Sequence, residues 1–369
     1  MIPYILLAIL FIYVYANFTL AIFQAMFPRK VTAKLKKYPT VSAIIATLNE
    51  EATIEKCLKA LRKSDYRGKM EILVVDGNSH DKTREIAKRY ADNILVEKNP
   101  RGKPSALNLG VKKASGSVLF FIDADSIVEK NTIKQLVEVL DKYDAATGTI
   151  NVVKETGIVP YILRVEVSCG NYSQESFFQM KDTCMLFGRN FVIKKNILKK
   201  HGGFSNVLTE DLNLSRRLYK SGHKVCFVKD AKITEQAPLK LSDYIRQHKR
   251  WIRGGLLELV KFFRESTVRD SFLMSLVITR LLIPMLFLLF VVYFIVFHSV
   301  HALTAAILSF IVFVIASRRL TIKEYIFLPF MLLFFAALEI IMPIWVELMD
   351  FLGYKPIWEK TPKHRYSNK

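Results

Sequence analysis

Asp123 and Asp125 stand one residue apart, directly after the apolar run Val118 to Ile122. That run is rich in β-branched and aromatic side chains and reads as a buried strand. Two carboxylates at the end of a buried strand cost free energy unless something compensates their charge. A divalent cation is one such partner. Mg2+ and Mn2+ prefer hard oxygen ligands, and Mg2+ commonly combines one or two carboxylates with substrate phosphates. A plain turn would also accept aspartate here. Lys103, in the basic turn Asn99-Pro-Arg-Gly-Lys103, comes just before a helical stretch, where phosphate is favoured, although a surface loop explains it as well. Glu210 and Asp211 follow Thr209 at the start of a helix running to about Tyr219. Helix capping by Thr209 accounts for that triplet when it is read alone.

Positioning these groups requires strands that end at a common edge. Val41 to Ala46 reads as a strand, and Asn49 as the cap of an amphipathic helix. Glu71 to Val75 is a second strand, ending in Asp76-Gly77-Asn78-Ser79. A helix over Asp81 to Tyr90 and a short strand near Ile94 to Val96 follow. After Asp125 come a helix over Asn131 to Lys142, a strand over Ala145 to Val153, and a strand beginning at Phe187-Gly188-Arg189-Asn190. Val159 to Lys181 receives no assignment. Alternation of strands and helices predicts an α/β fold with a mostly parallel sheet and right-handed crossovers. Neighbouring strands would gather Asn49 and Glu50, Asp76, and Asp123 and Asp125 on one side of one cleft, where open α/β sheets bind ligands.

The ends of the chain differ from this middle. Ile2 to Phe27 carries no charge and is long enough to span a bilayer, and Arg29, Lys30, Lys34, Lys36 and Lys37 follow it. The positive-inside rule then places the next domain in the cytoplasm. Leu241 to Phe263 predicts a long helix with a basic face and with Trp251 and leucines opposite, the pattern of a helix lying on a membrane surface. Beyond it, Leu281 to His298, Ala302 to Ala316 and Tyr325 to Leu348 read as further spans, the last containing Glu339. This gives a membrane helix over 1–28, a cytoplasmic domain over 38–240, an interfacial helix over 241–270, a membrane region over 271–350 and a basic tail over 351–369. The net charge of +21 suits anionic lipid or phosphorylated substrates. No nucleic-acid-binding signature accompanies it. Four cysteines without CxxC spacing read as reduced, buried thiols.

Taken in order, Val41-Ser-Ala-Ile-Ile-Ala-Thr-Leu-Asn-Glu-Glu51, the turn at Asp76, Asp123-Ala-Asp125, Thr209-Glu-Asp211 and Gln247-His-Lys-Arg-Trp251 resemble the membrane-bound family 2 glycosyltransferases, which include the cellulose, chitin and hyaluronan synthases. The resemblance runs from about Val41 to Gly255 and extends to the flanking membrane segments. It implies a GT-A fold, a nucleotide-sugar donor with UDP-sugars foremost, Mg2+ or Mn2+ as cofactor, and a glycan or lipid acceptor at a cytoplasmic membrane. By the same resemblance Glu50 and Asp76, with Thr47 and Asn49 beside them, would hold base and ribose, and Lys103 would line the nucleotide side of the cleft. Asp123 would contact the nucleotide and, with Asp125, the metal. Asp211 would be the general base with Glu210 beside it. Gln247, Arg250 and Trp251 would contact the diphosphate and close the acceptor site.

A carboxylate in reach can take the proton of an attacking hydroxyl, while a metal and Arg250 stabilise the leaving diphosphate. One base without a second nucleophile implies single displacement with inversion. The sequence departs from the family at Ala46-Thr47-Leu48, at Gly77-Asn78 after Asp76, and at Arg189, where small residues commonly follow the glycine. Processive polymer synthesis and transfer of one sugar to a lipid are both open, as is a homo-oligomer. A non-catalytic nucleotide-sugar-binding membrane protein is the alternative of another class.

Overall fold

A computed structural model describes residues 2–29, 31, 35, 37–281, 283–298, 300–316 and 348. In chain order these form α1 (Ile2–Met26), β1 (Val41–Thr47), α2 (Ile54–Arg62), β2 (Met70–Asp76), α3 (Thr83–Ala87), β3 (Asn93–Val96), α4 (Lys103–Lys113), β4 (Val118–Ile122), β5 (Ser126–Val128), α5 (Thr132–Glu138) and β6 (Ala145–Val152). There follow α6 (Ile158–Lys181), β7 (Asn190–Lys194), α7 (Lys195–Lys200), α8 (Glu210–Lys220), β8 (Val225–Glu235), α9 (Leu241–Glu265), α10 (Val268–Leu281), α11 (Ile283–Phe297) and α12 (Val300–Ala316).

The chain divides into two compact units. The first holds the sheet, in the order β3-β2-β1-β4-β7-β6-β8-β5. β1 pairs in parallel with β2 and β4, and β2 in parallel with β3, so the C-terminal ends of these four strands share one edge. Burial explains the parallel half. Every residue of β4 is buried, and β1 is buried at all positions except Ala46. Such continuous apolar runs suit strands covered on both faces. β7 runs antiparallel to β4, with Ile122 opposite Asn190. That register brings the turn before β7, containing Gly188 and Arg189, to the edge where β4 delivers Asp123. β6 and β8 are parallel, with a register shift between Gly148 and Thr149. β5 returns antiparallel along β8, setting Ser126 opposite Glu235.

α9 closes over this unit through a polar stripe. Asp243, Tyr244, His248, Gly254, Glu258 and Phe262 are its buried residues, at the three-to-four spacing of one helix face. Leu241, Leu257 and Val260 are exposed on it. Two contacts fix α9 against α8. Glu258 accepts from Arg216 Nε at 2.8 Å and from Asn213 Nδ2 at 3.2 Å. Gly254 approaches Thr209 so closely that a Cβ would lie 2.5 Å from Thr209 Cγ2.

The second unit contains α1, α6 and α10 to α12. Val14, Phe290, Ala302, Ala305 and Ala306 form its apolar cluster. Ser176 Oγ donates to Gln24 Oε1 at 2.8 Å, and Lys181 pairs with Asp270. Among the described residues no helix is long and apolar enough to cross a membrane. For α1, the side chains at 2–7, 9 and 25 lie outside the described set. The expected span Tyr325 to Leu348 is outside the described residues except for Leu348, and the basic tail is wholly outside them.

Several sequence expectations change. Val159 to Lys181, left unassigned, lies in a single helix, α6 (Ile158–Lys181), of 24 residues. Asn49 does not cap α2. The helix begins at Ile54, and Asn49 adopts φ +53° with its Oδ1 accepting from His80 N at 2.9 Å. Asparagine tolerates this left-handed turn better than most residues. Thr209 occupies the N-cap position of α8 but makes no side-chain capping bond. The helix expected over Asp81 to Tyr90 is confined to Thr83–Ala87, and Phe187 to Arg189 form a turn before the strand begins. All four cysteines are free and buried.

Candidate active site

The C-terminal edge of β4 is the centre of the site. Asp123 leaves the strand and meets Lys103 Nζ at 2.7 Å. Lys103 opens α4, after Gly102 takes φ +92°, so the ammonium reaches the edge from a helix N-terminus. The same nitrogen lies 3.5 Å from Glu210 and donates to Gly188 O at 3.3 Å. One cation therefore links β4, α8 and the turn before β7. Burial opposes its charge, yet the carboxylates of Asp123, Glu210 and Asp211 hold Lys103 above the usual ammonium range. Burial raises the carboxyl of Glu210. Lys103 counters that rise and Asp211 adds to it.

Asp211 is placed by backbone groups. Its Oδ2 accepts from Gly188 N at 2.8 Å and its Oδ1 from Leu212 N at 2.9 Å. A carboxylate has about four acceptor positions, so both oxygens can still take a proton or a further donor. Gly188 is required by space, since a Cβ there would fall 2.7 Å from Asp211 Oδ2. Arg250 faces the same charges from α9. Burial depresses its basicity, while Glu210, Asp123 and Asp211 support its charge. Gln247 and Trp251 share this stretch of α9. Gln247 Oε1 and Thr209 Oγ1 are buried without a hydrogen-bond partner, as is Ser126 Oγ directly after Asp125. Buried polar atoms are normally satisfied, so orphaned ones bordering a charged cleft suit a polar ligand.

The β1–β2 side is arranged differently. Asp76 is fully buried and serves its own turn: Oδ1 accepts from Ser79 N at 2.8 Å, and Oδ2 from Ser79 Oγ at 2.5 Å and Thr47 Oγ1 at 3.2 Å. Thr47 and Asp76, expected to border the nucleotide, are thus bonded to each other at the C-terminal ends of β1 and β2. A carboxylate at this strand end is the acceptor that closes the 76–79 turn. Glu50 and Asn49 stand next to it, locked by backbone bonds from Glu50 N to Thr83 Oγ1 at 2.7 Å and from Asn49 N to Ser79 Oγ at 2.8 Å. The structure thus brings Lys103, Asp123, Glu210, Asp211 and Arg250 together, with Asp76 at the end of β2 on the same edge of the sheet.

Asp125 is 8 % exposed, directly after the strand that carries Asp123. Among the described residues no three of His, Cys, Asp and Glu converge as a ready-made metal cage. The two aspartates nonetheless provide the hard oxygen donors that Mg2+ or Mn2+ takes alongside phosphate oxygens. The donor set therefore fits a divalent ion delivered together with a diphosphate.

Sequence reasoning left the role of Gly188 unstated, although the glycine before Arg189-Asn190 was visible. Glu235 carried no signal at all, because β8 was not assigned as a strand.

Residues 42–202 match the family model described as Glycosyl transferase family 2. The chain is 31% identical over 246 residues to the probable glycosyltransferase YdaM of Bacillus subtilis, covering 63% of this chain and 59% of that protein. It is 27% identical over 257 residues to poly-beta-1,6-N-acetyl-D-glucosamine synthase of Staphylococcus aureus, covering 64% of this chain and 61% of the synthase. The chain thus spans about three-fifths of the length of these relatives. Mannosyltransferase PcManGT from Pyrobaculum calidifontis, solved in complex with GDP-Man and Mn2+, superposes with a TM-score of 0.61 at 21% identity over 94% of each chain. The shared feature at that identity is a GT-A-like α/β fold.

Proposed function

We propose, from the family 2 glycosyltransferase domain over 42–202, that this chain is an inverting sugar transferase that uses a nucleotide-sugar donor, a UDP-sugar foremost, and extends a glycan. The observation that carries the reading is the meeting of Lys103, Asp123, Glu210 and Asp211 at one strand edge, with a carboxylate fixed by two backbone amides. Lys103 and Arg250 face the charge that develops on a departing nucleoside diphosphate. Asp211 accepts the proton of the acceptor hydroxyl as it attacks the anomeric carbon. Its amide bonds keep the carboxylate in place, and no second nucleophile is needed, so the product has inverted configuration. Asp123 and Asp125 would hold Mg2+ or Mn2+, which would supply charge neutralisation at the diphosphate. Glu50 and Asn49 border the nucleotide end, and Gln247 and Trp251 the acceptor end.

The reading extends to the membrane. Its support is in the sequence: Ile2 to Phe27 carries no charged residue. By the positive-inside rule, Arg29 and the lysines after it favour a cytoplasmic catalytic domain. Spans over 1–28 and within 271–350 flank that domain.

The test uses purified protein in lipid with Mn2+ or Mg2+ and a panel of nucleotide sugars, with products sized by mass spectrometry. A ladder of sugar repeats is expected, absent from Asp211→Asn. A single sugar on a lipid would replace the polymer reading by glycolipid synthesis. No transfer, together with no metal-dependent nucleotide binding, would refute the enzyme.

A further inference from the structure

The turn before β7 places one more guanidinium at the edge of the sheet, and the reaction just described gives it no part. Arg189 Nη2 donates to Glu235 Oε1 at 2.9 Å, and its Nε is in ion contact with the other oxygen of that carboxylate. Both side chains are largely buried, with 18% and 7% exposed. The guanidinium carbon lies 5.3 Å from the centre of the Trp251 ring. Trp251 in turn meets His248 edge-on at 5.0 Å, and His248 stacks on Tyr244 at 3.8 Å. The spacing 244, 248, 251 sets these rings in one column on α9. Glu235 pairs in register with Ser126, next to Asp125.

We propose that Arg189 is a positioning residue. It fixes the face of Trp251, and with it the Gln247 to Trp251 stretch of α9, against the acidic edge of the sheet. A guanidinium suits this task because its planar face lies over a ring while its edge binds a carboxylate. Burial opposes the charge, and Glu235, Asp123 and Asp125 retain it. The same turn holds Asp211 through Gly188 N at 2.8 Å. Arg189 therefore joins the segment that places the carboxylate to the helix that closes the site. Lysine would keep the charge and lose both the plane and the fork.

The chain has three tryptophans, and Trp345→Phe with Trp358→Phe leaves Trp251 as the only emitter. In that protein Arg189→Ala is expected to shift the emission and to raise acrylamide quenching about twofold, as the covered ring face opens. Arg189→Lys is expected to follow alanine, and Glu235→Gln to move the signal in the same direction. Melting curves identify any variant that fails to fold, and the lysine variant then carries the test. Unchanged emission and quenching in both Arg189 variants would overturn the proposal. This arm needs no sugar transfer, so it decides the matter even if the proposed function fails. The activity arm rests on that function. Arg189→Ala is expected to lower kcat about tenfold with the donor KM unchanged, and adding it to Trp251→Ala to cost little more. Losses that multiply would show that the two residues act independently and would also overturn it.

Discussion

Gly254 is where α9 comes nearest to the Thr209-Glu210-Asp211 segment, and Gly254→Ala tests whether that approach sets the site. The new Cβ would lie 2.5 Å from Thr209 Cγ2, 2.7 Å from Oγ1 and 3.1 Å from Cβ. Carbon atoms settle at about 3.5–4.0 Å, so helix and segment must part by about 1 Å. Alanine in a helix interior gains about 1 kcal/mol over glycine, and overpacking costs about 1–3 kcal/mol. The net loss of stability is therefore about 0–2 kcal/mol, while a displacement near 1 Å at the chemistry costs about 100-fold in rate. Thr209→Ala removes both clashing atoms. Its hydroxyl has no hydrogen-bond partner, so the change forfeits little beyond one buried methyl, about 1 kcal/mol. Combined, the two substitutions are expected to be no less stable than Thr209→Ala alone, a coupling of about 1–3 kcal/mol. Thr209→Ser keeps the oxygen in the clash and is expected to rescue less. Melting in lipid and transfer rates across the cycle provide the assay. Strictly additive losses in the double variant would refute the close approach as the cause.

Other substitutions probe separate contacts. Gly188→Ala sets a Cβ 2.7 Å from Asp211 Oδ2 and displaces the carboxylate; transfer is expected to fall about 100-fold or more, with nucleotide binding by calorimetry retained. Glu258 is held below the ordinary carboxylate range: burial raises it, but bonds from Arg216, Lys261 and Asn213 lower it further. A depressed folded pKa contributes stability above the unfolded value, and that stability is lost as pH falls through the folded one. Glu258→Gln is thus expected to lower Tm by about 2–4 °C near neutral pH, with the gap closing in acid; a gap that widens in acid would contradict the assignment. Burial pushes the Cys57 and Cys184 thiols up, and Cys169 and Cys226 are buried too. A thiol reagent is expected to label the native protein hardly at all and all four positions after denaturation, a ratio mass spectrometry reads directly.

The parallel half of the sheet was legible because its strands are apolar runs closed by polar turns, and both period and punctuation survive in the sequence. The Lys103, Asp123, Glu210 and Asp211 group was legible as residue types at strand and helix ends. Its joining through Lys103 was not, because an ammonium on a flexible stem shows its partners only when the strands are set side by side. α6 was missed since polar Ser168, Asn171, Ser173 and Ser176 are buried in it, which blurs the apolar period. β8 was missed because exposed Lys229 and Asp230 interrupt its middle. The turn that Asp76 closes was not legible, because an aspartate at a strand end looks the same whether or not it accepts from the residues after it; the bonds from Ser79 and Thr47 appear only in the structure.

Gly188 offers its N–H to Asp211 and its carbonyl to Lys103, and it has no side chain of its own. Under the proposed function, the ammonium that would answer the leaving group and the carboxylate that would answer the incoming hydroxyl are thereby bonded to the two peptide groups that flank one Cα. A Cβ added at Gly188 would fall 2.7 Å from Asp211 Oδ2, so a change at this one residue bears on the carboxylate and on the carbonyl that Lys103 binds.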